Sequence, residues 1–178
     1  MAKNKVTPKA KTPTPAVPAG VGFYFDKFAA SHQDQSNKII HIVFIPLLLF
    51  SLVGLFWALP FPHIKFLGAY NQDFNWSSFF LAFLVYYYIR LSPVLAYPML
   101  LIMLIMFYII TKMDEWQKAG GIAIWMVVGV IFLISAVALY AGYKKEGKKL
   151  SFEYRYKNLL IAPLFLLGLV LKRLKIKY

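Results

Sequence analysis

The sequence predicts an all-α integral membrane protein, a helical bundle of four transmembrane spans with a short re-entrant or interfacial helix near its C-terminal end. Three observations carry this expectation. Of 178 residues, 60% are hydrophobic, more apolar surface than a soluble domain of that size buries. Several apolar runs approach the roughly 20 residues that cross about 30 Å of hydrocarbon. The basic residues collect in the flanks of those runs rather than spreading evenly.

Taken in order, residues 1–20, "MAKNKVTPKAKTPTPAVPAG", are rich in Lys and Pro and hold no acid. Such a tail is disordered alone or ordered only against a partner. It lacks the apolar core of a signal peptide and the Arg-rich amphipathic period of a transit peptide. Residues 21–178 form one membrane domain. Phe23, Tyr24, Phe25 and Phe28 are spaced for an interfacial helix. The first span covers 39–59 and is ended by "PFP". The second is short, 76–89, with "YYY" as an aromatic belt and Arg90 just beyond it. The third covers 94–110 and the fourth 122–143. Pro46, Gly54, Gly129 and Pro163 are tolerated inside apolar runs because neighbouring helices re-satisfy the backbone. Met113–Lys118, "MDEWQK", reads as a solvated loop with Trp116 at the headgroups, and "SFEYRYKN" as an interfacial amphipathic turn. The last apolar run, 159–171, is about 13 residues long, too short to cross comfortably.

Lys and Arg counts set the expected topology. Lys3, Lys5, Lys9, Lys11, Lys27 and Lys38 precede the first span, and "KKEGKKLSFEYRYK" follows the fourth. The opposite loops hold only Lys65, Lys112 and Lys118. Both ends of the bundle therefore belong on the cytoplasmic or matrix side. Arg90, Lys144 and Lys145 are placed to meet lipid headgroups, and Arg90 could alternatively pair with Asp34. The excess of 20 basic over 7 acidic residues follows from these flanks. No basic stripe interleaved with stacking aromatics lies outside the spans, so nucleic acid is not an expected partner.

The absence of cysteine excludes disulfides and thiolate metal sites. No P-loop, GxGxxG, GxSxG or HExxH is present, which leaves nucleotide, serine-hydrolase and zinc-protease chemistry unsupported. The polar features that stand out are His32, Asn37 and His41, at the doorstep of the first span. On one continuous helix His32 and His41 would face opposite ways, whereas Asn37 and His41, four apart, share a face. Either the imidazoles are half of a metal site or they are the polar end of an ordinary span. An ionisable group within a span costs a few kcal/mol to place there, which makes it a functional candidate.

The stretch H-x4-N-x3-H-x4-P, from His32 through Asn37 and His41 to Pro46, resembles the opening motif of the 2-hydroxy fatty acid dioxygenase family, small multi-span membrane proteins of the endoplasmic reticulum. Tyr24 or Phe28 matches the preceding aromatic, and Phe44 stands where the family has Gly. In the second half Gly142 and Glu146 match. Tyr143 replaces the family His, Leu150 the Pro, and Ala136 and Leu139 the Trp and Gln. The likeness runs in order through residues 21–171.

The resemblance implies a non-haem Fe(II) centre that cleaves a 2-hydroxy fatty acid with dioxygen to an acid one carbon shorter. Family-matched site residues are His32, Asn37, His41 and Glu146. With Tyr143 in the place of an imidazole, the available ligands are His32, His41 and a carboxylate, Glu146 or Asp34. Non-haem Fe(II) oxygenases use two imidazoles and one carboxylate on one face. His63 lies on the other side of the membrane under the expected topology and cannot join them. Two functions stay open. One is a non-catalytic accessory subunit without a cofactor, a pseudoenzyme scaffold in a larger membrane assembly. It would meet other membrane subunits through residues 1–38 and its helix faces, and lipids around them, with the mitochondrial inner membrane as its setting. The other is a divergent Fe(II)-dependent dioxygenase of the endoplasmic reticulum.

Overall fold

Asp34 sets the start of the first long helix in this computed structural model, which describes residues 21–31, 34–72, 74–145 and 152–175. The Asp34 backbone is extended and its carboxylate accepts the amide N–H of Asn37 at 2.9 Å. A cap of this kind contributes about 1 kcal/mol. It separates α1, Val21–Ser31, from α2, Gln35–Ala58. At 24 residues, α2 is about 36 Å long, enough to cross a bilayer. It stops before Leu59, which is extended as a residue preceding proline prefers.

The connection to α3 is tied by two side chains. Asn71 accepts the N–H of Ile64 at 2.8 Å and donates its amide to the carbonyls of Ile64 and Gly68, each at 2.9 Å. This holds the 3-10 segment Lys65–Gln72 around Gly68, whose φ of 49° suits glycine. Beyond it, Trp76 donates from its indole to the carbonyl of Pro60 at 3.1 Å.

Helix α3, Trp76–Leu91, begins at Asn75, whose side-chain oxygen accepts the N–H groups of Ser77 and Ser78. Ser92 closes it and opens α4, Pro93–Lys118, with Pro93 in the first turn where its missing N–H costs nothing. Helices α5, Ile124–Lys145, and α6, Phe152–Arg173, complete the chain. Among the described residues there is no strand.

Two segments differ from expectation. Met113–Lys118 is not a loop: α4 continues through it as helix. Lys112 pairs with Glu115 at 2.8 Å and Lys118 with Asp114 at 2.7 Å. Such i,i+3 and i,i+4 pairs favour the helix on its exposed face, so α4 does not need apolar residues to continue past Ile110. The indole of Trp116 lies against Gly121, where α4 turns toward α5. Likewise, 152–158 is the helical start of α6 rather than a turn. Glu, Arg and Lys are good helix formers, and the apolar run 159–171 marks only the greasy part of a 22-residue helix.

Helix α2 touches α3, α4, α5 and α6, and its most extensive partner is α5. Gly54 explains the close approach at one end: a Cβ there would lie 2.5 Å from Cγ1 of Val128 and 3.0 Å from Cδ1 of Ile110. On α5, Val128, Ser135 and Gly142 recur every seventh residue and are all buried, a stripe of modest side chains that lets two helices come together in lipid. A second cluster joins α3, α4 and α6 around Tyr88, Leu95, Met103 and Leu164. There Pro163 cannot donate the helical N–H, and the Tyr88 hydroxyl donates to the nearby carbonyl of Leu160 at 3.0 Å.

The outer surface decides the solvent. Leu101, Leu104 and Ile105 of α4 and Leu133, Ile134 and Val137 of α5 are all exposed. Continuous apolar bands of this kind are stable in hydrocarbon and not in water. Among the described residues α2, α4 and α5 are long and apolar enough to span. Helix α3 is apolar but has 16 residues, about 24 Å, short of the roughly 30 Å hydrocarbon thickness. The protein is a membrane helical bundle. Residues 1–20 lie outside the described part.

Candidate functional site

The cap at Asp34 fixes the phase of α2, and that phase turns Asn37 and His41 inward together. Asn37 is fully buried. Its amide lies directly on the backbone of Gly142, so close that any Cβ at that position would collide with Asn37 Oδ1. One turn further along α2, both ring nitrogens of His41 are removed from solvent. The imidazole meets the ring of Phe28 edge-on, with centroids 6.0 Å apart and planes at 90°. Phe28 is held in turn by Phe165 of α6 at 4.6 Å, and Phe25 packs on the same Phe165 at 5.3 Å. Helices α1, α2, α5 and α6 thus converge on one end of the bundle, and the two motif segments meet there.

Tyr143 follows Gly142 and is half-buried. Lys144 and Lys145 are exposed in the last turn of α5, with Lys144 Nζ 5.0 Å above the Tyr140 ring. Arg90 is exposed in the last turn of α3. All three cations stand at helix ends, the position that suits both the helix dipole and a headgroup layer. His32 and Glu146 lie outside the described residues. His63 is exposed beyond the C-terminal end of α2, the full length of that helix from Asn37. Pro46 faces away from Asn37 and His41; it lines a groove on another face of α2.

A family model described as 2-hydroxy-palmitic acid dioxygenase Mpo1-like matches residues 21–174. The chain belongs to the Mpo1-like family. The match runs from the start of α1 to just past the end of α6, and so takes in every helix described above. Comparison with curated proteins and with solved structures returned no match.

The donors of this Mpo1-like chain can be set against Fe(II). An oxygenase site needs two neutral imidazoles and a carboxylate converging on one face, with open positions left over. Among the described residues no group of three or more His, Asp or Glu is placed to hold a metal. At the Asn37–Gly142 junction the described imidazole is His41, and the residue after Gly142 offers a phenol. A phenol is a harder oxygen donor that suits ferric iron, which makes it a poor substitute for imidazole on Fe(II). The described residues alone do not make up an Fe(II) centre; His32 and Glu146, the other expected ligands, lie outside them.

Sequence reasoning paired Asn37 with His41 but did not foresee that Gly142 is the surface on which Asn37 rests. The local signal was a glycine in the last turns of an otherwise apolar span, at a seven-residue interval from the buried Ser135 and Val128. Phe28, read as an interfacial aromatic and as one of two matches to the aromatic before the motif, proves to be the wall against which His41 stands.

Proposed function

We propose that this Mpo1-like protein is a non-catalytic accessory subunit of a larger membrane assembly. It keeps the family's helix packing and has given up its metal chemistry. The observation that carries this reading is Tyr143, which stands beside the Asn37–Gly142 contact where the family pattern has an imidazole. The exposed apolar faces of α4 and α5, with residues 1–38, supply the surfaces for neighbouring subunits. The mitochondrial inner membrane is the setting that suits such an assembly.

Gentle solubilisation of native membranes tests this directly. The tagged full-length chain will migrate in a complex several times its own 20.5 kDa mass, and the purified chain will not consume 2-hydroxypalmitate. Migration as a free monomer would count against the proposal.

A second reading, a divergent Fe(II)-dependent dioxygenase of the endoplasmic reticulum, is favoured by the family match over residues 21–174 and by the buried imidazole of His41. It requires His32 and Glu146 to close on His41. Oxygen-dependent loss of 2-hydroxypalmitate, abolished in His41→Ala, would establish it over the accessory role.

A further inference from the structure

A groove of about 670 Å³ runs between α2, α4 and α6, within the roughly 300–1,000 Å³ typical of small-molecule sites. Its walls are apolar: Pro46 and Leu49 on α2, Met99 and Met106 on α4, Leu166 on α6. The charged residues that line it are Lys172 and Arg173, where α6 ends. Among the described residues no carboxylate lines the groove. Both cations are exposed, and the ion pairs among the described residues involve neither. Ile42 and Val170 also line it and are themselves exposed, so the groove opens sideways to the hydrocarbon.

This groove is not the Asn37–His41 junction. Pro46 and Leu49 lie five and eight residues beyond His41, about 140° and 80° around a helix of 3.6 residues per turn. Asn37 lies about 40° to the other side of His41. A 2-hydroxy fatty acid held by its carboxylate on Lys172 and Arg173 would present its reacting carbon to the wrong face of α2.

The geometry points to a resident anionic phospholipid, one acyl chain in the groove and its phosphate on Lys172 and Arg173. A guanidinium fork beside an ammonium suits a phosphate, taking two of its oxygens in parallel and adding a point charge. The methionines that line the apolar wall are flexible and adapt to a chain of varying shape. The lateral opening admits a lipid from the surrounding leaflet. This site does not depend on whether the Mpo1-like protein is an enzyme or an accessory subunit.

Native mass spectrometry of the full chain, released from detergent with equal phosphatidic acid and phosphatidylcholine, tests it. One phosphatidic acid will be retained at least tenfold over phosphatidylcholine. The double charge reversal Lys172→Glu with Arg173→Glu, on exposed side chains, will abolish that preference; Lys65→Glu, exposed in the 3-10 segment between α2 and α3, will leave it intact. A phosphatidic acid carrying a photoreactive group in its acyl chain will label 99–106 of α4 and 166–170 of α6. Equal retention of the two lipids would overturn the assignment. So would a preference that survives the double reversal, labelling confined to other helices, or displacement of the phospholipid by equimolar palmitate.

Discussion

Asn37 on α2 and Gly142 on α5 are in direct contact, amide on bare backbone, and that contact closes the end of the bundle that carries the family motif. Two residues from opposite halves of the chain each depend on the other's shape. Asn37 needs a surface without Cβ, and Gly142 leaves a hollow that an amide fills.

Gly142→Ala will therefore destabilise the bundle. Overpacking of this kind costs about 1–3 kcal/mol. Thermal unfolding in detergent, followed by circular dichroism, will show the loss. Adding Asn37→Ala removes the colliding atom, so the double variant will be more stable than the two single losses predict. Neighbours in contact are where additivity fails, by about 0.5–3 kcal/mol.

The opposite end of the same helix pair makes an independent case. Gly54→Ala places a methyl 2.5 Å from Val128 Cγ1, and the same range of about 1–3 kcal/mol applies. Val128→Ala in the same chain will recover part of that loss. If Gly54→Ala unfolds like the parent, α2 and α5 are not as close as described.

Tyr88 is buried where α3, α4 and α6 meet and donates to Leu160. Tyr88→Phe keeps the ring and loses one hydrogen bond, worth about 0.5–1.5 kcal/mol. Tyr88→Ala also opens a cavity and will cost about 3–5 kcal/mol. Equilibrium unfolding of the two variants separates packing from the hydrogen bond, and equal losses would deny the ring its place in the core.

The cap at Asp34 predicts a local effect. Asp34→Ala will weaken the first turn of α2 by about 1 kcal/mol. Hydrogen exchange will show this as faster exchange at Asn37, whose N–H the carboxylate holds. Asp34→Asn retains an acceptor oxygen and will exchange nearly as slowly as the parent.

Much of the architecture was legible in the residues because apolar runs and their breakers are local signals. "PFP" after Ala58, Ser92–Pro93 between α3 and α4, and the glycines after Lys118 each mark a real helix boundary. Legibility failed where helix is carried by other means. Met113–Lys118 continues α4 through charged pairs, and the polar first turns of α6 follow helix propensity rather than hydrophobicity. Within the candidate site, the shared face of Asn37 and His41 follows from a spacing of four. The seat of Asn37 on Gly142 does not, because it joins residues from opposite halves of the chain, and only folding reveals which glycine a buried amide will find. For the same reason Pro46, which reads as part of the motif, turns out to serve a groove on another face.

On the proposed reading, this Mpo1-like chain keeps the family's helix packing and holds no metal. Iron content of the full-length protein, purified anaerobically with Fe(II) supplied and compared with His41→Ala, tests it most directly. Background iron in both proteins is the expected result. Near-stoichiometric iron in the parent that disappears in His41→Ala would contradict the account and make the junction of α2 and α5 an active site.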